Sequence, residues 1–226
     1  MPLNEPAQRP LSPLPPCAIV LAAGLGRRMG GWPKPALRVG GQSLLERLAQ
    51  AFRQAGVAEI SVVLGPYADV LRPLAVAAGA QPLLHAAHGP TLVDSQRLAL
   101  EAHAARHPGR DLMLVLADLP LLTAAPLCAL LQAWSARPAG LQALVPTVGG
   151  VHGHPVLLSW QAVEEIRRQS GDEGVRHWMA GHAAQVLRLP CSDPGHVFDL
   201  DTPEDLARLR ALLHPEVVEG GPQSAL

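Results

Sequence analysis

Directly after a short apolar run, the chain reads Leu21-Ala-Ala-Gly-Leu-Gly-Arg-Arg-Met-Gly-Gly-Trp-Pro-Lys34. Glycines such as Gly24 and Gly26 let backbone N–H groups come close to an anion, Arg28 can fork onto phosphate oxygens, and Lys34 adds a mobile charge. Together these groups have the chemistry of a triphosphate cradle. No Gly-Lys-Ser/Thr occurs, so the loop is not a P-loop, and Met29 stands at the third glycine position of the dinucleotide fingerprint. Lys34 is the only lysine among the 18 Lys and Arg residues. A compact ammonium is thus kept beside Pro33 in a chain that otherwise writes its cations as arginine.

Asp118 follows the most hydrophobic stretch of the chain, Leu112–Ala117. A charge there is costly unless compensated, and Mg²⁺, which prefers one or two carboxylates with phosphate oxygens and water, would compensate it. Asp199 and Asp201 offer a second such point after an expected strand at Val197–Phe198. The competing reading is that Asp201 or Thr202 caps the helix opened by Pro203, with Thr202 the expected cap. His152 and His154 flank Gly153, with no cysteine or carboxylate nearby in sequence to complete a transition-metal site. Ligand contact through His154 is expected, with a satisfied structural histidine as the alternative.

The elements that must position these groups alternate. Cys17–Ala22 reads as a strand buried on both faces, and residues 43–55 carry apolar residues at helical spacing behind a Ser43/Glu46 capping box. Strands are expected at Ile60–Leu64, Leu83–Leu84, Leu112–Ala117, Ala143–Val145, Val156–Leu158 and Val186–Leu189. Helices are expected near 67–77, 92–105 and 124–135, twice within 160–181, and at Pro203–Leu213. This pattern implies a single α/β Rossmann-like domain with a mostly parallel sheet and ligands at the carboxyl ends of its strands. Val148–Pro155 reads as a loop on the rim of that site. Residues 1–16 hold six prolines and read as a disordered leader. The domain is expected over 17–213, with a frayed tail over 214–226.

A chain of 226 residues, 48% of them hydrophobic, can bury one sizeable core. A net charge of −1 argues against a nucleic-acid partner, which asks for a clustered basic surface. No apolar run approaches a membrane span or a signal peptide, so no membrane association and a cytoplasmic location are expected. Cys17, Cys128 and Cys191 are odd in number and in no ligand pattern, which argues against a disulfide framework or a zinc site.

These residues resemble the MobA-like nucleotidyltransferases, whose opening signature is LAAGxGxRMG followed by PK; the resemblance runs over roughly residues 17–213. It extends through Gly89-Pro-Thr-Leu-Val-Asp-Ser95, Leu116-Ala-Asp-Leu-Pro120, Gly153-His-Pro-Val-Leu157, Ser170-Gly-Asp-Glu-Gly174 and Asp199-Leu-Asp-Thr-Pro-Glu-Asp205. The order and spacing are most similar to the molybdenum cofactor cytidylyltransferase branch. The resemblance implies the nucleotide-diphospho-sugar transferase type of fold, with CTP as donor and a phosphorylated molybdopterin-type cofactor as acceptor. It also implies Leu21, Ala22, Ala23, Gly89 and Ser95 as further nucleotide contacts, and Gly153, His154 and Pro155 beside the acceptor. Mg²⁺ would sit on Asp118 and on Asp199 or Asp201, and a molybdenum hydroxylase apoenzyme would be the receiving partner. Three positions depart from the branch pattern: Asp94 replaces one of the usual paired serines, and Ala117-Asp-Leu-Pro120 stands where Gly-Asp-Gln-Pro is usual.

The implied reaction is in-line attack by an acceptor phosphate on the α-phosphorus, with Arg28, Lys34 and Asp118 as the catalytic groups acting by position and charge. The alternatives are another donor such as GTP or another phosphorylated acceptor, a nicotinamide-dependent reductase using the glycine loop, and a non-catalytic cofactor carrier or chaperone for a molybdenum hydroxylase.

Overall fold

Alternate residues of Cys17–Ala22 (β1) face opposite sides of a central sheet: Ala18, Val20 and Ala22 enter one core, Ile19 and Leu21 the other. A strand covered on both faces needs this continuous apolar run. The computed structural model describes residues 14–86, 89–169 and 173–221.

After β1 the chain makes two short antiparallel strands, Arg38–Val39 (β2) and Gln42–Ser43 (β3), and then helix Leu44–Gln54 (α1). The Ser43 hydroxyl accepts from the Glu46 amide at 3.2 Å and the Glu46 carboxylate accepts from the Ser43 amide at 2.7 Å, so the expected capping box forms. Ile60–Leu64 (β4), Ala68–Ala77 (α2), Gln81–Leu84 (β5) and Leu92–Arg106 (α3) follow, then Leu112–Leu116 (β6) and Ala124–Ser135 (α4). Next come Ala143–Val148 (β7), Val151–His152 (β8), Val156–Leu158 (β9), Trp160–Arg168 (α5), Val175–Gly181 (α6) and Val186–Pro190 (β10). Pro203–Leu213 (α7) and Val218–Glu219 (β11) complete the series.

The main sheet runs β10-β7-β9-β6-β1-β4-β5, with β8 added to β7. Every neighbouring pair is parallel except those made by β9, and by β8 on its edge. The carboxyl ends of β1 and β6 therefore lie side by side, which sets the glycine loop next to Asp118.

Three expectations change. Val148–Pro155 is a hairpin: Gly149 and Gly150, at φ 57° and 83°, make the two-residue turn between β7 and β8. Val197–Phe198 is not a strand. Asp193 caps a 3-10 turn at Pro194–His196, and the Val197 and Phe198 amides both donate to the Pro194 carbonyl, which removes them from any ladder. The tail expected to fray from 214 instead supplies β11, paired antiparallel with β2 at Val218↔Val39 and Glu219↔Arg38. Residues 222–226, and the leader up to residue 13, lie outside the described residues.

Besides the two cores flanking the sheet, Met29, Leu37, Val39, Leu44, Phe198, Leu200, Leu206 and Leu209 form a third apolar cluster. It joins the glycine loop to the segment carrying Asp199 and Asp201 and to α7. Met29 is its fully buried plug, which accounts for a methionine where a dinucleotide loop has glycine.

Candidate active site

The loop after β1 turns through Gly26, at φ 56°, into a 3-10 turn at Arg27–Met29. A side chain at Gly26 would put its Cβ 2.5 Å from the Trp32 carbonyl oxygen, so both conformation and space require glycine there. Gly24 faces open space, and its missing side chain leaves the loop backbone bare toward the cavity. Tyr67, the only tyrosine, braces the loop from outside, its hydroxyl within hydrogen-bond reach of the Leu25 and Gly31 carbonyls. Nothing in the sequence marked it.

Lys34 begins a second 3-10 turn, Lys34–Ala36, and points back under the loop. Its ammonium donates to the Asp118 carboxylate and, at 2.8 Å, to Asp201 Oδ1. Burial alone would lower the lysine pKa, but the two carboxylates outweigh it and hold the group above its ordinary value. Arg28 adds a 2.9 Å ion pair to Asp201 while remaining 71% exposed, so it is free to exchange partners.

The Leu200 amide donates to the Asp118 carbonyl at 2.9 Å, which draws Asp199 and Asp201 to the end of β6. Asp199 reaches solvent, yet desolvation by surrounding protein, followed by the charges of Asp118 and Asp201, pushes its acid up to about 6. Thr202 is the helix cap, as expected; its partner is Asp205, which returns a carboxylate to the Thr202 amide at 2.9 Å. Asp201 is left free for Lys34 and Arg28.

Asp118 Oδ1 is buried without a hydrogen-bond partner among the described residues, while Oδ2 faces Lys34. An orphaned carboxylate oxygen in a carboxylate-rich pocket fits a hard divalent cation. Among the described residues no three His, Cys, Asp or Glu groups form a self-sufficient metal cage. The carboxylates therefore suit an ion that takes its remaining ligands from phosphate and water.

Leu21, Ala22, Ala23, Gly24 and Gly26 line one cavity together with Lys34, Asp118, Pro90, Thr91 and Ser95. Arg28 lines an adjoining cleft with Lys34 and Asp201. Gly89 is not on the cavity wall; at φ 73° it is the turn that leads into α3. Asp94 does not line the cavity but closes a capping box, accepting from the Thr91 amide at 2.9 Å and from the Thr91 hydroxyl at 2.7 Å. That bonding lowers its pKa; from this turn Thr91 and Ser95 line the cavity, the Ser95 hydroxyl donating to the Thr91 carbonyl at 3.0 Å.

His154 lies at the same end of the sheet, where β9 runs back along β6. Burial lowers its pKa, its ring hydrogen-bonds the Leu114 carbonyl, and Nδ1 is left buried and unpartnered. The ring is neutral, with an unused lone pair. Its backbone is locked to His196: the His154 amide donates to the His196 carbonyl at 2.8 Å, and His196 Nδ1 meets the His154 carbonyl at 2.7 Å. Gly153 is glycine because a Cβ would sit 2.5 Å from the His196 oxygen. Pro155 is buried behind it, and His152 is exposed on β8. Of the Ser170–Gly174 motif, residues 170–172 lie outside the described residues, and Gly174 packs against Gln96 of α3.

No thiol here is poised as a nucleophile: burial pushes Cys17 up to about 11 and raises Cys191, and Cys128 lies on α4 away from the cavity. The site thus gathers the glycine loop, Lys34, Arg28 and the carboxylates of Asp118 and Asp201.

The MobA-like NTP transferase domain family matches residues 18–186. Molybdenum cofactor guanylyltransferase of Pseudomonas paraeruginosa is 32% identical over 88% of this chain and 97% of its own length. Nicotine blue oxidoreductase of Paenarthrobacter nicotinovorans is 28% identical over 86% of this chain and 97% of its own. The crystal structure of Rv0371c from Mycobacterium tuberculosis H37Rv matches with a TM-score of 0.71 at 27% identity, over 88% of this chain and 98% of that one. That protein has also been solved in complex with manganese, matching with a TM-score of 0.66 at 26% identity over 85% and 96% of the two chains.

Proposed function

The chain belongs to the MobA-like NTP transferase family, and on that premise we propose that it transfers CMP from CTP to a phosphorylated molybdopterin-type cofactor with Mg²⁺, releasing pyrophosphate. The observation that carries the reading is Lys34 held between Asp118 and Asp201 beside the glycine loop. Carboxylates that keep a protein cation between them can exchange it for a metal ion, and the released ammonium then has phosphate oxygens as partners. Arg28 can make the same exchange from Asp201.

In this reading an acceptor phosphate oxygen attacks the α-phosphorus, the bond to the bridging oxygen breaks, and pyrophosphate leaves. The acceptor phosphate is already ionised at neutral pH, so no general base is needed. The loop amides from Gly24 to Gly26, with Lys34 and Arg28, hold the triphosphate in line. Asp118, with Asp199 or Asp201, would hold the divalent ion, which offsets charge on the phosphate oxygens. The motif resemblance sets His154, at the same end of the sheet, beside the acceptor.

Cytosine as the donor base is supported by the motif resemblance; Asp94, a departure from that branch's pattern, is spent on a helix cap. Guanine is the competing outcome, given the relative named as a guanylyltransferase. Pyrophosphate release with each of the four NTPs, Mg²⁺ and the acceptor tests this: CTP should turn over fastest, and a GTP preference would reject the cytidylyl assignment alone. A second reading, a reductase, is favoured by the relative named nicotine blue oxidoreductase, matched along nearly its whole length. NADH and NADPH oxidation in place of pyrophosphate release would establish it.

A further inference from the structure

We propose that Glu216–Gly221 is a strap that fixes the position of Lys34, acting through Trp32 and Leu37. The segment is tied down along its length. Glu216 pairs with Arg47 at 3.4 Å, Gly40 donates to the Val217 carbonyl at 3.0 Å, β11 pairs with β2, and Arg210 donates to the Gly220 carbonyl at 3.3 Å. At Gly220 the backbone passes against the Trp32 indole so closely that a Cβ would lie 2.8 Å from ring carbon Cζ2. A Cβ on Gly221 would lie 2.7 Å from Leu206 Cδ2. Both glycines have φ in the left-handed range, 92° and 106°, so conformation and space each require them.

Trp32 and Leu37 bracket the turn that carries Lys34. The Trp32 carbonyl packs over Gly26 in the phosphate-facing loop, and the Leu37 amide donates to the Lys34 carbonyl at 3.0 Å. Trp32, Leu37 and Val218 all belong to the third apolar cluster, with Met29 and Leu206. Among the described residues the strap's polar contacts are to Arg47, Gly40 and Arg210 and to β2, not to Lys34, Arg28 or the site aspartates, so Trp32 and Gly220 are positioning residues. Without the strap, one side of the Trp32 ring and of Leu37 loses its packing, and the turn is held by its own 3-10 hydrogen bonds, the Leu44 amide's bond to the Leu37 carbonyl and the Lys34 ion pairs.

The kinetic arm of the test rests on the nucleotidyl reading; the spectroscopic arm does not. Because Lys34 is the only lysine, labelling with ¹³Cε-lysine gives one side-chain signal in the full-length protein. Gly220→Ala and removal of residues 215–226 should each move that signal toward the position of a solvent-exposed lysine. Each should also raise the KM for MgCTP about tenfold, the scale of a displaced charge donor, with far-UV circular dichroism unchanged. Trp32→Phe should keep the signal near wild type, and Trp32→Ala should shift it. If the truncated chain fails to fold, Gly220→Ala carries the decision, since it deletes no hydrogen-bonding group. An unmoved Lys34 signal with an unchanged KM in Gly220→Ala overturns the strap. A moved signal in a protein whose wild type binds no NTP upholds the strap and rejects the nucleotidyl reading.

Discussion

Removing the Lys34 ammonium should lower activity and, at the same time, raise the affinity of the free protein for divalent metal. The lysine side chain is 13% exposed and the Asp118 side chain 16%, so this is a sheltered pair rather than a surface one. Two unit charges about 4 Å apart at an effective dielectric of about 20 attract by roughly 4 kcal/mol before desolvation is subtracted. Partial exposure and the Arg28–Asp201 contact reduce the net loss, so Lys34→Ala should destabilise the metal-free protein by about 1–3 kcal/mol. Asp118, Asp199 and Asp201 would then face one another with no ammonium among them. Mg²⁺ or Mn²⁺ alone, without nucleotide, should raise the melting temperature of Lys34→Ala more than that of wild type, because the metal no longer competes with the lysine for Asp118. In turnover the variant should lose about two orders of magnitude in kcat/KM, the scale of one preorganised charge donor. Calorimetry with metal alone, together with pyrophosphate release, reads both. Activity within threefold of wild type, or metal stabilisation no larger than in wild type, would refute the exchange of Lys34 for a cation.

Asp118→Asn should fold, lose the metal-dependent part of its stabilisation by NTP in thermal shift, and lose nearly all transfer activity; a badly destabilised variant with normal activity per folded molecule would make Asp118 a structural carboxylate. His154→Ala should raise the acceptor KM about tenfold while leaving NTP affinity unchanged, the cost of one lost hydrogen bond; loss of NTP affinity would move Gly153–Pro155 to the donor side. Burial, as the largest cause, holds His103, His107 and His154 below their ordinary pKa of 6.5. The unfolded chain therefore binds more protons than the native one in the window below 6.5, so their stability contribution is complete above that pH and is lost as pH falls. Chemical denaturation between pH 7 and 5 should show this fall, and His103→Gln should flatten it; an identical slope in the variant would contradict the assignment.

Much of the frame was legible because the signals are local. The unbroken apolar run of β1, the glycine loop with its single lysine, and the serine and threonine caps at 43 and 202 each announce themselves within a few residues. The same spacing in Thr91-Leu-Val-Asp94 is a capping box too, within a segment that the family resemblance marks for nucleotide contacts. Val197–Phe198 carries strand-forming residues, but Pro194 and Gly195 set a turn whose carbonyl takes both amides. The roles of Tyr67, His196 and the strap against Trp32 depend on contacts between distant residues, Tyr67 to the glycine loop and His196 to His154. No periodicity encodes such contacts.

The most direct test of the central claim is the fate of label from CTP carrying ³²P at either the α or the γ position, incubated with the protein, Mg²⁺ and a phosphorylated molybdopterin-type acceptor. Attack at the α-phosphorus predicts that α-label joins the acceptor in step with pyrophosphate release, while γ-label leaves entirely in pyrophosphate. Transfer of γ-label to the acceptor, or no transfer of either label from any of the four NTPs, would contradict the account.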